Sequence, residues 1–197
     1  MKKLLLIIGL VLSVQSLVYS QTKTNLEITF QLIDRTISRV DSFVNNKNKE
    51  YNFSFTSPEP YGFLKSTVVD SFIKKNYLLK NLDSLQNKIE YSIHNIKVGY
   101  SNPFKDRFFG SIFVEREVTF NGSSLISDFG EISSIQLNQT IKDTVALDQI
   151  SYIENRGTPF TQATIPEIPL FSNLLEPIIV VGTLIVTIIL FFTVRSK

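Results

Sequence analysis

Few side chains in this sequence could carry out chemistry. His94 is the only histidine and cysteine is absent, which excludes a histidine cluster for a metal, a thiolate nucleophile and a disulfide. Ser71 and Lys74 match the S-x-x-K spacing, in which a lysine one helical turn along could deprotonate the serine. The S-D-N and K-T-G elements that accompany this motif in serine enzymes are absent. We therefore expect no catalytic residue.

Two carboxylates and an arginine occupy consecutive positions of one predicted strand. Glu115 and Glu117 would project from the same face about 7 Å apart, a separation that suits an acid–base pair. Arg116 would project from the opposite, otherwise apolar face, where a buried guanidinium requires a carboxylate partner. We interpret the two acids as the solvated face of the strand, and we predict that a carboxylate accompanies Arg116 if it is buried.

A capped amphipathic helix precedes these residues. Thr24 and Glu27 have the capping-box spacing, in which each side chain accepts a hydrogen bond from a free N–H of the first turn. The spacing that follows also suits a coiled coil, but because only about three heptads are present we predict a helix that covers the domain core. The apolar residues recur at steps of three and four: Leu26, Phe30, Ile33, Ile37, Val40 and Val44.

A strand and a second helix are predicted next. Tyr51, Phe53 and Phe55 alternate with polar residues, which indicates a strand with one aromatic face. Prolines and a glycine between 58 and 62 then interrupt the chain. The second helix is predicted from apolar residues at helical spacing, namely Leu64, Val68, Phe72 and Ile73.

The second half of the domain has the alternation of strands. The apolar residues occupy odd-numbered positions in 89–93 and even-numbered positions in 96–100. Such a change of face needs an extra residue in the strand, so a β-bulge is expected near His94–Asn95. Asn121 and Gly122 predict a tight hairpin turn, because both central residues of such a turn need positive φ. The predicted fold class is α+β, a small antiparallel sheet with two helices on one face. Weaker strands are predicted at 132–137 and 145–153.

Both ends of the chain are apolar. Residues 1–20 have the basic start, apolar core and small-residue end of a secretory signal peptide; if uncleaved, it would add a second span. Residues 176–194 are long enough for one transmembrane helix and contain only Glu176 as a charge. The basic tail, 195–197, indicates a cytoplasmic C-terminus and an extracytoplasmic domain at 21–155. We expect a bacterial, single-pass protein of the cytoplasmic membrane that contacts lipid through this helix.

The composition changes between the domain and the predicted span. Four of the seven prolines lie between 159 and 177, so residues 156–175 are predicted to form an extended stalk that lifts the domain about 60 Å. An extended stalk would leave its apolar side chains in water, and we expect them to fold back, rest in the headgroup region or bind a partner. The residues predicted to bind a partner are Ile165, Ile168, Leu170 and Phe171.

The charge balance argues against nucleic acid as a partner. Four of the 20 basic residues and one of the 18 acidic residues lie in the end segments, which leaves 16 basic against 17 acidic residues. The expected function is a non-enzymatic, membrane-anchored module without a cofactor that binds or assembles with another envelope protein. A tethered hydrolase that uses Ser71 and Lys74 or carboxylates is the alternative, and a role for the spanning helix itself is a third possibility.

Overall fold

A computed structural model describes residues 22–44, 49–82, 84–105, 110–128, 130–168 and 170–194. The side chains of 170–176 and 194 are not among the described ones. The predicted signal peptide and basic tail lie outside the described residues. The elements in chain order are α1 (Asn25–Asp41), β1 (Glu50–Thr56), α2 (Leu64–Lys74), β2 (Leu78–Lys80), β3 (Lys88–Lys105), β4 (Ile112–Asp128), β5 (Glu131–Gln136), β6 (Gln139–Ala146), α3 (Ile150–Ile153) and α4 (Leu170–Val194).

The strands form one mixed sheet in the order β2-β1-β3-β4, with β5 and β6 both paired to β4. β1 is parallel to β2 and β3, whereas β4 is antiparallel to its three partners. The α+β class is confirmed, but the prediction of an antiparallel sheet is wrong. The chain returns from β1 to β2 through α2, and a helical crossover of this kind joins parallel neighbours. Alternating side chains reveal the buried face of a strand and carry no information about the direction of its partner.

One face of the sheet is buried beneath α1 and α2. Along β3 and β4 the inward positions are buried and the intervening ones are largely exposed. Phe72 of α2 lies at the centre of this core, where its ring contacts the rings of Phe53, Tyr77 and Tyr91. Leu64 and Val68 are buried as predicted, but Ile73 is 55% exposed because it lies past the face of α2 that meets the sheet. The opposite face of the sheet is open and polar.

Helix α1 begins at the predicted capping box. The Thr24 hydroxyl accepts a hydrogen bond from the Glu27 N–H at 3.1 Å, and the Glu27 carboxylate accepts one from the Thr24 N–H at 2.7 Å. The helix buries its inner face in the core, which confirms the core-covering interpretation. That face differs from the predicted one, since Leu26 and Phe30 are only partly buried. Its buried residues are Asn25, Ile28, Thr29, Leu32, Ile33, Thr36, Ile37 and Val40.

The predicted bulge is present, whereas the predicted hairpin is not. The register between β3 and β4 shifts between Ile93 and Asn95, which confirms a bulge at His94. Asn121 and Gly122 lie inside the continuous strand β4, so the hairpin prediction at this dipeptide is wrong. A Cβ atom at position 122 would lie 2.5 Å from the carbonyl oxygen of Ser92, which explains the glycine as a site of close backbone approach.

The folded domain continues into the segment predicted to be a stalk. Pro159–Thr161 form a 3₁₀ turn in which proline suits the first position, and Thr161 is fully buried. Phe160 and Ala163 pack against the core, so residues 156–163 are not extended. Helix α4 then begins at Leu170, within the remainder of the predicted stalk. Among the residues that the structure describes, no helix combines the length and the hydropathy that crossing a bilayer requires. The transmembrane helix at 176–194 therefore stays a prediction.

Candidate interaction surfaces

A buried arginine joins α1, β4 and β6. The guanidinium of Arg116 is fully buried and donates to Asp143 twice, at 2.8 Å from Nε to Oδ1 and 2.5 Å from Nη2 to Oδ2. Its Nη1 donates to the carbonyl oxygen of Lys23 at 2.7 Å and to Oδ1 of Asn25 at 2.9 Å. The carboxylate predicted for a buried Arg116 is therefore present, in the bidentate geometry that guanidinium groups favour.

Asn25 connects this arginine to the end of the domain. Its Nδ2 donates to the hydroxyl oxygen of Tyr100 at 2.8 Å and to the carbonyl oxygen of Thr161 at 2.7 Å. Because Asn25 begins α1 and Thr161 precedes the segment leading to α4, the first and last parts of the folded domain meet here. We use the name Arg116 cluster for Asn25, Tyr100, Arg116, Asp143 and Thr161.

Tyrosines in the core make the stability of the domain sensitive to alkali. Burial, together with the nearby Glu154 carboxylate, raises the pKa of Tyr100 to about 12, and burial beside Asp128 raises the pKa of Tyr51 to about 12. The unfolded chain releases these protons near its ordinary tyrosine pKa of 10.0, while the native state still holds them. The unfolded state then binds fewer protons than the native state, so stability falls as the pH rises through this window.

We predict that Tyr51 and Tyr100 leave the free energy of unfolding unchanged up to a pH of about 10 and lower it as the pH rises from there towards 12. Denaturant midpoints across this range, with phenolate absorbance recorded on the same samples, measure the effect. A midpoint that does not change while all tyrosines ionise would contradict the prediction.

The open face of the sheet contains a polar concavity of about 350 Å³ between β3 and β4. Gly99 forms part of its floor, and a Cβ atom there would meet no heavy atom within 4 Å. Glu117 at its rim is paired with Lys142 of β6 at 3.1 Å, whereas Lys97 forms no ion pair with any described residue. The Gly99 concavity is therefore a hydrated surface of amides, hydroxyls and charges. Its lining includes Asn95, Lys97, Gly99, Glu117, Thr119 and Asn121.

An aromatic surface lies where the chain leaves the domain. The ring of Phe160 packs edge-on against Tyr61 with centroids 5.0 Å apart, and stacks on Phe63 with centroids 6.2 Å apart. Phe63 is 51% exposed and Ile165 is 50% exposed. Tyr61 anchors the group to β3, because its hydroxyl accepts from the Ile96 N–H at 3.2 Å. We use the name exit patch for Phe63 and Phe160 together with Ile165, which follows Phe160 by five residues in the outgoing chain.

Ser71 and Lys74 do not form a catalytic pair. Ser71 is buried between the two helices, where its hydroxyl donates to Oδ1 of Asp34 on α1, and Lys74 is exposed. The bond between Ser71 and Asp34 joins α1 to α2. Asp70, the carboxylate next to Ser71 in the sequence, is exposed. The two described concavities lie on the open side of the sheet and include none of these residues.

The other candidate residues are dispersed. His94 is exposed at the bulge, with its Nε2 3.1 Å from Ser123 Oγ, as expected of a surface histidine. Glu115 accepts from Asn102 at 2.7 Å, and Glu117 pairs with Lys142. Of the residues predicted to bind a partner, Ile165 is exposed and Ile168 is partly buried. The side chains of Leu170 and Phe171 lie outside the described ones.

The sequence analysis missed Asn25 and Asp143, although both leave a signal. Asp143 alternates with Ile141 and Val145, so a charge occupies an inward position of β6. Arg116 occupies the equivalent position of β4, and an acid and a base on inward positions of two paired strands predict an ion pair. Asn25 is in phase with Ile28 and Leu32 on the inner face of α1, which similarly indicates a buried amide.

Among the described residues, no group of three or more His, Cys, Asp or Glu side chains could hold a metal ion.

Comparison with known proteins finds similarity only to solved structures. No protein-family model matches the chain, and no curated protein matches it either. The chain is similar to the rare lipoprotein B structure from Shewanella oneidensis, with 12% identity, a TM-score of 0.32, and coverage of 75% of this chain and 94% of that one. A minor lipoprotein from Acinetobacter baumannii is similar over 52% of this chain and 78% of its own, with 13% identity and a TM-score of 0.29. Likenesses at these TM-scores carry no argument about function.

Proposed function

We propose that this protein is a non-enzymatic binding or assembly module of the bacterial cell envelope, tethered by a single membrane-spanning helix. The folded domain lies outside the cytoplasmic membrane, and the C-terminus lies in the cytoplasm. Its mechanism is local concentration, because a tether confines the domain to the neighbourhood of its envelope partner. The partner is another envelope protein, and neither a cofactor nor a nucleic acid is required.

The observation that carries this proposal is the surface of α4. Its large apolar side chains are exposed around the helix from Ile178 to Phe192, with no charged side chain among them. The polar groups that remain are satisfied within the helix: the hydroxyls of Thr183, Thr187 and Thr193 donate to carbonyl oxygens one turn earlier at 2.7–2.9 Å. A helix whose hydrogen bonds are all internal and whose outside is apolar suits hydrocarbon, where no water is available.

The surfaces of the domain support a binding role. The Gly99 concavity is open and polar, and we propose it as the surface presented to the partner. Ser71 is engaged in a helix–helix contact with Asp34, which speaks against the tethered hydrolase. Ile165 and Ile168 remain a proposed docking surface close to the helix.

Membrane extraction and protease accessibility test this proposal. The full-length protein expressed in bacteria should stay in the membrane pellet after alkaline carbonate treatment, because a spanning helix is not released by loss of charge interactions. In spheroplasts, protease added outside should digest the domain and leave a small membrane-bound C-terminal fragment. Release of the intact protein by carbonate, or a domain that resists external protease until the membrane is lysed, would overturn the proposal.

A further inference from the structure

The two ends of the folded domain emerge at one place. The Lys23 carbonyl oxygen and the Asn25 side chain are both bound to Arg116, and Asn25 also holds the carbonyl oxygen of Thr161. The segment that leads to α4 therefore leaves beside the segment that enters α1. Both segments are therefore attached to the same side of the domain.

The connection to α4 is short. Six residues lie between Ala163, which packs on the core, and Leu170, where the helix begins, so seven residue-to-residue steps join them. At about 3.5 Å per residue this connection spans at most about 25 Å, and the helical residues before Pro177 add about 10 Å at 1.5 Å per residue. The domain is thus held well within the height of 60 Å that the extended stalk predicts.

The exit patch is the apolar surface at this point. Phe63 and Ile165 are each about half exposed, and Phe160 bridges Phe63 to the buried Tyr61. The charged neighbours in sequence are mixed, with Lys65 after Phe63 and Glu167 after Ile165. Because basic and acidic residues are mixed there, the neighbouring sequence gives the patch no marked preference for anionic lipid. Its chemistry is that of aromatic and aliphatic side chains that partition into the boundary between headgroups and acyl chains.

We infer that the exit patch rests in the headgroup region of the bilayer that α4 enters, so that the domain lies against the membrane with its open sheet face free. The inference rests on the proposed function, because it takes α4 to be the anchor. The occupant of the patch is lipid, and zwitterionic lipid suffices. Ile165 then contacts the bilayer next to the tether, and the partner contacts the Gly99 concavity.

The absence of tryptophan from the sequence permits a direct test. Single reporters are introduced into the full-length protein as Phe63→Trp and Ile165→Trp in the patch, Leu184→Trp in α4 and Ile132→Trp on β5. Ile132 is 74% exposed on the open side of the sheet and is the matched aqueous control. Each variant is reconstituted into phosphatidylcholine vesicles whose acyl chains carry bromine, a quencher of tryptophan fluorescence, either near the headgroup or near the terminal methyl. In a separate measurement, iodide on both sides of the membrane quenches the tryptophans that water can reach.

We expect the reporters at 63 and 165 to be quenched by bromine near the headgroup and to show several-fold weaker iodide quenching than the reporter at 132. The reporter at 184 should respond most to bromine near the terminal methyl. Equal iodide quenching at 63, 165 and 132, with lipid quenching retained at 184, overturns the inference and leaves the anchor intact. Iodide protection at 63 and 165 without lipid quenching assigns the patch to a protein occupant and also overturns it. Loss of lipid quenching at 184 instead refutes the proposed anchor.

Discussion

Replacing Arg116 with alanine is expected to lower the free energy of unfolding by about 2–3 kcal/mol, because buried acceptors lose their donor while Asp143, whose side chain is 39% exposed, regains solvation. The substitution deletes four hydrogen bonds from one fully buried side chain and leaves the Lys23 carbonyl oxygen and the Asn25 amide without their donor. Domains of this size are typically stable by about 5–15 kcal/mol, so a large share of the native stability depends on this residue.

Denaturant titration of the full-length protein in detergent micelles, followed by a far-ultraviolet signal, measures the loss. The matched control is Lys142→Ala, which removes a cation from the ion pair with Glu117 on the open face, where both side chains are well exposed. An exposed pair contributes about 0–1 kcal/mol, so the control should change little. Equal effects of the two substitutions would show that the Arg116 cluster does not hold the domain together.

A double substitution separates the contribution of the unpaired charge to the loss of stability from the contribution of side-chain packing. In Arg116→Met the aliphatic stem is retained while the carboxylate of Asp143 loses its partner. Adding Asp143→Leu removes that unpaired charge, which water screens only in part because 39% of the Asp143 side chain is exposed. We therefore expect the double variant to be more stable than Arg116→Met alone. If the double variant is less stable than Arg116→Met, the lower stability results from lost packing and not from the unpaired charge.

Alanine at two glycines of the central hairpin is expected to have opposite effects. Gly122→Ala places a Cβ atom 2.5 Å from the carbonyl oxygen of Ser92 and 2.9 Å from the ring of Phe120. A backbone oxygen cannot rotate away, so the strands must separate, and overpacking of this kind costs about 1–3 kcal/mol. Gly99→Ala meets no atom within 4 Å and removes the flexibility of glycine from a strand, which should stabilise the domain by about 0.5–1 kcal/mol.

The two glycines control for each other because they lie in paired strands and receive the same substitution. The thermal or denaturant midpoints of both variants are compared with that of the parent protein. Midpoints that shift in the same direction would contradict the prediction. Gly99→Val extends the test to function, since the larger side chain fills the concavity without a clash at its Cβ atom. If the Gly99 concavity binds the envelope partner, this variant should fold as well as the parent and lose the partner in crosslinking experiments on intact cells.

The hairpin prediction failed for a reason that these glycines illustrate. Asn121–Gly122 is a strong local signal for a tight turn, but the same dipeptide suits a strand position where another backbone comes close. The turn between β4 and β5 instead includes Gly130, which has a φ of +87° and lies between the paired residues Asp128 and Glu131. The sequence alone could not decide between the two glycines, because the crowding at Gly122 arises from β3, about thirty residues earlier.

Local patterns did determine several features of this protein. The capping box at Thr24 and Glu27, the aromatic face of β1 and the bulge at His94 follow from spacing within a few residues, and all are present. The same holds for the α+β class, because helical and strand periodicity are properties of short segments. The apolar C-terminal segment is helical. Whether this helix spans a membrane is tested by the carbonate extraction experiment.

Tertiary structure decided what no local pattern specifies. It gave β1 parallel neighbours, paired Arg116 with Asp143 across 27 positions, and brought Asn25 against Thr161 across 136 positions. It also folded Pro159–Thr161 onto the domain, because burial of Thr161 and packing of Phe160 against the core outweigh the extended preference of a proline-rich segment. Hydrophobic periodicity encodes which side of an element is buried. The partner of each side, and the polar groups that must be satisfied there, depend on residues that are distant in the chain.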